Sequence, residues 1–317
     1  IGFLCPFGSS VYTPGHAQVM SEFSVSREVA LLPFVFYLLG LSFGPVLAAP
    51  TSETFGRKVV YACALPIFAA FVIGAGFSQG IVALTVCRFF AGLFSSPGLS
   101  IGTGTISDIW PPEKRGAPMA AFITMVQMGP ALGILIGGFV TVTEGWRWTQ
   151  WVILFGLAFV LAITLGMSET YKKVILKKRA RKLGIEGPPE PDRTTAETVK
   201  FFATKTIERP MHMLFTEPIV TLFDIYVAFN FGLLNAFFAA FSWVFENVYG
   251  FGIGVTGLTY LGQAIGSIVG FFVILAVYQF YWVPHARRLK KEDGGAKMAP
   301  EERLYIAMAG AVMLPVS

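Results

Sequence analysis

The stretch GPVLAAPTSETFGRK, Gly44 to Lys58, decides how the rest of the chain is read. It predicts an apolar helix that ends at Pro50, a short acidic turn carrying Glu53, and a second apolar helix from Val59, after Gly56-Arg57-Lys58. So tight a turn asks for a backbone conformation that most residues resist, and Gly56 supplies it. The cations Arg57 and Lys58 then stand at a membrane–water boundary, on the side where Lys and Arg collect.

The composition agrees with helices of membrane length on both sides of that turn. The chain has 317 residues, 54% of them hydrophobic and 14% charged, with a mean hydropathy of +0.64. A soluble domain is about one-quarter charged. The charges are clumped and leave apolar runs of roughly 20 residues, enough to span a bilayer. The net charge of +5 does not point to nucleic acid, because the basic residues sit in loops between apolar segments. Cys5, Cys63 and Cys87 lie in apolar segments without metal-ligand spacing and are read as small packing residues. His16, His212 and His285 fall in loops or at edges, and Met211-His212-Met213 makes no metal site. Enzyme motifs such as a phosphate-binding loop or His-Glu-x-x-His do not occur. The chain starts at Ile1 and stops at Ser317 inside apolar stretches, without a basic leader, so the expectation is a piece cut at both ends.

The expected order is as follows. Residues 1–14 make part of a first helix, and a polar stretch runs from Gly15 to Glu28. Five further helices cover about 29–49, 59–77, 81–106, 117–142 and 149–167. Between them lie a charged loop from Asp108 to Gly116 and an aromatic boundary at Glu144-Gly145-Trp146-Arg147-Trp148. From Ser168 to Glu217 the chain is too charged to enter a bilayer and reads as a basic linker with short amphipathic helices on the membrane surface. A seventh helix is expected at 218–244 and an eighth at 254–283. A second basic loop (Arg287, Arg288, Lys290, Lys291, Lys297) leads into a ninth. Of the 24 Lys and Arg, Arg27 and Arg147 fall on one side and Arg88 inside a helix; the rest share the other side, which should be cytoplasmic. This gives an all-α polytopic membrane protein in two parts, residues 1–167 and 218–317, joined by the linker 168–217 and carrying about nine spans.

Three stretches carry a family resemblance. Glu53, Gly56, Arg57 and Lys58 match the loop signature Gly-x-Leu-x-Asp-Arg-x-Gly-Arg-Lys of the major facilitator superfamily, with Glu53 at the Asp position and Thr54 in place of the first Arg. Leu84-x-x-x-Arg88-x-x-x-Gly92 resembles the fourth-helix signature, with Ala91 where Gln is usual. Gly129-Pro130-Ala131-Leu132-Gly133 resembles the antiporter signature on the fifth helix, with Met125 and Ile134 replacing two of its glycines. Leu214 to Val220 and Tyr249-Gly250-Phe251 are similar to fungal multidrug and polyamine exporters. The resemblance implies two six-helix bundles around a midplane site and proton-driven export of amphipathic or cationic small molecules by alternating access. It implies no cofactor beyond the proton gradient, a monomer without nucleic-acid partners, and a fungal plasma membrane or vacuole.

The residues and the resemblance together nominate sites. A cation inside a membrane helix is expensive and is by default functional. Arg88 is therefore a functional candidate, to which the resemblance assigns proton coupling, or, alternatively, a structural arginine tying helices together. Asp224, a little inside the seventh helix, is a second candidate for the proton or for a cationic substrate. Glu53, Gly56, Arg57 and Lys58, with Asp108 and Arg115 on the neighbouring loop, are expected to form a conformational latch. Gly129, Pro130 and Gly133 would let the fifth helix bend and pack closely. Gln127, Asn230, Asn235, Phe238 and Gln263 are candidate substrate contacts, through polar groups and cation–π surfaces. The alternatives are a proton-linked or uncoupled facilitator of the same fold, and a truncated product that transports nothing.

Overall fold

The computed structural model describes residues 1–184, 204 and 208–285, and all regular structure among the described residues is helical. Helix α1 (Leu4–Ser10), a 3-10 turn (Thr13–Gly15) and α2 (His16–Phe23) form one bent segment. The polar stretch expected from Gly15 to Glu28 is thus helical as far as Phe23. Ser24 ends it in the left-handed region (φ 52°), and Ser26 starts α3 (Arg27–Phe55) by accepting the Val29 N–H at 3.5 Å. Helix α3 does not stop at Pro50 but runs on to Phe55, so Glu53 lies on its last turn rather than in a loop. Backbone groups left unpaired near a bilayer cost more than a proline inside a helix. Thr51 and Ser52 also bond carbonyls of the preceding turn.

Helix α4 (Arg57–Gly76) follows directly. The expected fourth helix is broken into α5 (Ile81–Ser95) and α6 (Pro97–Ile109), because Pro97 has no N–H to give and opens the second piece. Helices α7 (Gly116–Thr143) and α8 (Trp148–Gly166) complete the first group. Then come α9 (Lys172–Leu183), α10 (Arg209–Thr216) and α11 (Pro218–Asn247). Helices α12 (Ile253–Thr259) and α13 (Leu261–Val277) are separated at Tyr260, and a π-helical turn (Tyr278–Trp282) extends α13. Seven helical stretches among the described residues are long and apolar enough to cross a membrane: 27–55, 57–76, 81–109, 116–143, 148–166, 218–247 and 253–285. The linker's Pro188-Pro189, the second basic loop from Arg287 to Lys297 and the expected ninth span lie outside the described residues.

The core sits among α1–α8. Leu4, Phe7, Val11, Tyr37, Leu65, Phe68, Val72, Ile153 and Leu157 form one buried cluster. Tyr12, Val19, Ala30, Leu84 and Trp146 form a second, toward the other end. Glycine lets α3 and α5 touch backbone to backbone. A Cβ on Gly40 would come within 2.0 Å of the Phe89 carbonyl oxygen, and one on Gly92 within 2.1 Å of the Tyr37 carbonyl oxygen. Without a hydrophobic drive between helices in lipid, such close packing is what holds them. It also fixes where Arg88 and Tyr37 sit. Trp146, expected at the headgroup boundary, is instead 3% exposed inside the second cluster, while Trp148 is exposed.

Candidate functional site

Arg88 is fully buried on α5, between α1 and α3. Its Nη1 donates to the Gly8 carbonyl oxygen at 2.8 Å, and its Nε and Nη2 are buried without an acceptor among the described residues. The guanidinium lies over two rings, Tyr12 at 4.7 Å and Tyr37 at 5.0 Å. Each phenol is itself pinned. Tyr12 donates to the Ala30 carbonyl oxygen at 3.0 Å, and Tyr37 donates to the Cys5 carbonyl oxygen at 2.9 Å and to Ser95 at 3.2 Å. Desolvated cation–π contacts contribute about 2 kcal/mol each. The charge is therefore held by ring faces and one carbonyl, with no carboxylate partner among the described residues. Sequence reasoning found Arg88 and missed both tyrosines, because an aromatic on an apolar helix looks like core.

The second centre is on the basic face. Arg57 Nε meets Asp108 Oδ2 at 3.1 Å, with side-chain exposures of 11% and 21%, and Arg57 Nη1 donates to Ser52 at 2.5 Å. Gly56 has φ +101°, and a Cβ there would fall 2.3 Å from Glu169 Oε2. Glu169 accepts the backbone N–H groups of Arg57 (2.8 Å) and Lys58 (3.2 Å), capping α4 with a carboxylate at its positive end. The same carboxylate accepts from Thr170 and Tyr171, each at 3.0 Å, and the Tyr171 ring lies 5.1 Å from the Arg57 guanidinium. Lys58 Nζ donates to the Leu165 carbonyl oxygen at 3.1 Å.

Two members of the expected latch are not in this cluster. Glu53 is exposed and has no bonding partner among the described residues. It lies on a helical turn that continues α3, while Arg57 points at Asp108. Arg115 caps its own neighbourhood, donating to the Trp110 and Ser107 carbonyl oxygens at 2.7 Å each. Glu169, Tyr171 and Ser52 take their places. Glu169 was detectable only as an acid just beyond the end of an apolar helix.

The third centre is α7. Cβ atoms on Gly129 and Gly133 would meet the Phe3 and Phe7 carbonyl oxygens of the first segment at 2.8 and 3.0 Å, so this face is pressed against backbone. The opposite face carries Ala131 and Ile134 against Tyr260 and Ala264, with Phe238 packed beside them. There Gly257 lies against Leu135, and Tyr260 donates to the Phe238 carbonyl oxygen at 2.5 Å. Helix α7 is thus the seam between the early and the later helices. Tyr260, Gly138 and Gly257 on its later side and Gly137 against Val11 on its early side, all absent from the sequence reading, are part of it.

The polar candidates are not brought together. Asn230 and Asn235 donate to the Tyr226 and Phe231 carbonyl oxygens of their own helix, each at 2.8 Å. Asp224 and Gln127 are exposed, and Gln263 is half-buried. Phe238, the remaining substrate candidate, packs at the seam beside Tyr260 and Ala264. A cavity of about 290 Å³ lies elsewhere, between α3, α4 and α5–α6, lined by residues such as Leu47, Val60, Ala64, Ile67 and Phe94. Its lining is apolar and bears no charge. Cys63, expected to be packed, is exposed at its edge.

Comparison with known proteins adds the following. The family described as Major Facilitator Superfamily matches residues 1–317. Polyamine transporter 4 of Saccharomyces cerevisiae is 39% identical over 286 residues, covering 89% of this chain and 43% of that protein. MFS-type transporter traF of Penicillium crustosum is 36% identical over 311 residues, 98% of this chain and 62% of that protein. Efflux pump FUB11 of Gibberella moniliformis is 34% identical, covering 98% and 52%. The chain thus spans about half the length of the curated relatives it matches. Among solved structures, the proton:xylose symporter XylE aligns with a TM-score of 0.61 at 15% identity, over 87% of this chain and 66% of that one. That likeness is one of fold.

Proposed function

The chain belongs to the major facilitator superfamily, a family of transporters and not of enzymes, and from that premise we propose that the whole protein is a proton-coupled exporter of small amphipathic or cationic molecules. Polyamine-like compounds are the first class to try, since one relative carries the name of a polyamine transporter and another that of an efflux pump. The observation that carries the reading is Arg88, a cation fully buried in the membrane part of the protein and ringed by Tyr12 and Tyr37. Such a charge is costly to keep and is kept where it acts.

In this proposal two six-helix bundles rock about a midplane site. The cluster of Ser52, Arg57, Asp108 and Glu169 ties α3, α4, α6 and the end of α8 to each other, so it makes one bundle a rigid body. Rocking is taken up at the α7 seam, where Ala131, Ile134 and Gly138 meet the later helices, while Gly129 and Gly133 press α7 against the first segment and Pro130 lets it bend. Binding and loss of a proton, on a carboxylate or in the surroundings of Arg88, would bias the inward–outward equilibrium. No resident cofactor is invoked; the proton gradient supplies the energy. The protein is proposed to act as a monomer in the plasma membrane or, alternatively, the vacuolar membrane.

One observation favours a second reading, an uncoupled facilitator: Arg88 reaches no carboxylate among the described residues. The two readings separate in inverted vesicles holding the full-length protein under an imposed proton gradient, with a cationic dye and spermidine offered outside. Gradient-driven uptake that Arg88→Ala abolishes, at normal membrane insertion, is the expected result. Uptake indifferent to the gradient overturns the exporter reading.

A further inference from the structure

Helix α9 has the sequence KKVILKKRARKL, and Gly184 ends it in the left-handed region (φ 66°). No residue of it is buried. Leu176, Ala180 and Leu183, at spacings of four and three, share one side; Leu176 and Leu183 are exposed at 53% and 72%. Lys172, Lys173, Lys178, Arg179, Arg181 and Lys182 are exposed around them, and among the described residues none of the six makes an ion pair. A soluble helix bundle would cover two such leucines or replace them. The basic charge has no acid on the helix itself to balance it.

The start of α9 is tethered. Helix α8 leaves the membrane at Gly166, and five residues later Tyr171 leads into α9. Between them Glu169 and Tyr171 grip the start of α4 and the Arg57 guanidinium. Helix α9 therefore starts at the level of the headgroups, on the face where Lys and Arg collect.

We propose that α9 docks on anionic lipid headgroups of that leaflet, with Leu176 and Leu183 set into the boundary and the basic residues around them on the charges, and that docking steadies the Arg57–Asp108–Glu169 cluster. A polybasic helix directly beyond a membrane span is attracted to anionic lipid, and two exposed leucines on one side give it a second anchor. The steadying runs through a short link. Glu169 and Tyr171 stand within three residues of α9, and their bonds are the ones that cap α4. A basic helix could instead bind an acidic helix-gripping protein, but α9 follows within six residues of the end of a span, which favours lipid.

The test uses the full-length protein in vesicles of phosphatidylcholine, with or without phosphatidylserine, beside a variant with those six Lys and Arg changed to Gln. Lipid retained after gentle extraction is identified by mass spectrometry, and hydrogen exchange is followed at the Arg57 and Lys58 amides. The expected result is enrichment of phosphatidylserine on the wild type, weakened by salt and lost in the variant. The two amides should exchange more slowly in phosphatidylserine vesicles, again with loss in the variant. Equal enrichment on both proteins overturns the docking. Enrichment without any change in amide exchange overturns the steadying. Binding of calmodulin without lipid enrichment overturns the choice of partner. None of these readouts depends on transport, so the inference stands or falls apart from the proposed export.

Discussion

The two ends of the α1–α8 bundle are both tied by an arginine and a carboxylate, yet they are built differently. On the basic face the pair Arg57–Asp108 is mostly covered, at 11% and 21% exposure, and three further groups converge on it: Ser52, Glu169 and the Tyr171 ring. On the opposite face the pair Arg147–Glu22 is 37% exposed on each side. The binding there is done by neutral groups. Gln18 accepts the Trp146 N–H at 2.8 Å and donates to the Thr141 carbonyl oxygen at 2.9 Å, and the buried Trp146 ring donates to Glu22 at 2.7 Å. The lesson is that an ion pair matters in proportion to its cover. Exposed pairs contribute little, whereas removing one partner of a covered pair leaves a charge without compensation. Breaking the basic face should therefore cost several times what breaking the opposite face does.

The largest effect is expected at Gly56. Alanine there would hold a side chain at φ +101° and push into the Glu169 carboxylate, breaking the cap on α4. The expected loss is about 2 kcal/mol or more, from strain and lost hydrogen bonds together. A lower thermal midpoint in detergent, with faster exchange at the Arg57 and Lys58 amides, checks it. A neutral result would mean that the turn relaxes, and the contrast between the two ends would shrink.

Next come the carboxylates of that cluster. Asp108→Asn removes the charge facing Arg57, and Glu169→Gln removes the anion that accepts four N–H groups. Each should cost about 1–3 kcal/mol by the same thermal measurement. Because Arg57 touches both sites, the double variant should depart from the sum of the singles. Additivity would show two independent bonds in place of one cluster. On the opposite face, Trp146→Phe keeps the buried ring but deletes its N–H donor to Glu22. It should cost about 1 kcal/mol.

How far these differences could be read from sequence follows the same physics. Apolar runs made the spans legible, because a bilayer imposes a length rule on every helix that crosses it. Arg88 stood out because a cation inside such a helix is expensive. Helix ends were less legible. Pro50 marked a stop that α3 ignores, since serine and threonine hydroxyls and neighbouring helices tolerate a proline, whereas Pro97 does interrupt its helix. Partners across sequence were least legible. Glu169 lies 112 residues from Arg57, and the pairing of Glu22 with Arg147 spans 125. Glu53, nearer in sequence to Arg57 and matching a family pattern, makes no hydrogen bond or ion pair with it, whereas Asp108 and the distant Glu169 do. The asparagines on α11 were hard to place for a different reason: asparagine in a helix can satisfy itself on its own preceding turn, as Asn230 and Asn235 do.

The smallest effect sharpens the comparison most, because it separates charge from neutral bonding at one site. Partial burial alone would raise the Glu22 carboxyl, but the hydrogen bonds from Trp146 and Arg147 and the arginine charge outweigh it and hold it below the usual carboxylate range. A depressed folded value makes the contribution of Glu22 complete at pH values above the unfolded carboxylate range and lost as pH falls through the lowered value. Its size is under about 1 kcal/mol, since both partners are more than one-third exposed and screened by salt. Glu22→Gln should therefore lower neutral stability by less than about 1 kcal/mol, leave stability in acid unchanged, and so flatten the acid limb of the stability–pH curve and remove most of its salt dependence. A large neutral-pH loss would mean that the Glu22–Arg147 charge, and not the Gln18–Trp146 bonding, ties this face, and the two ends would then be alike after all.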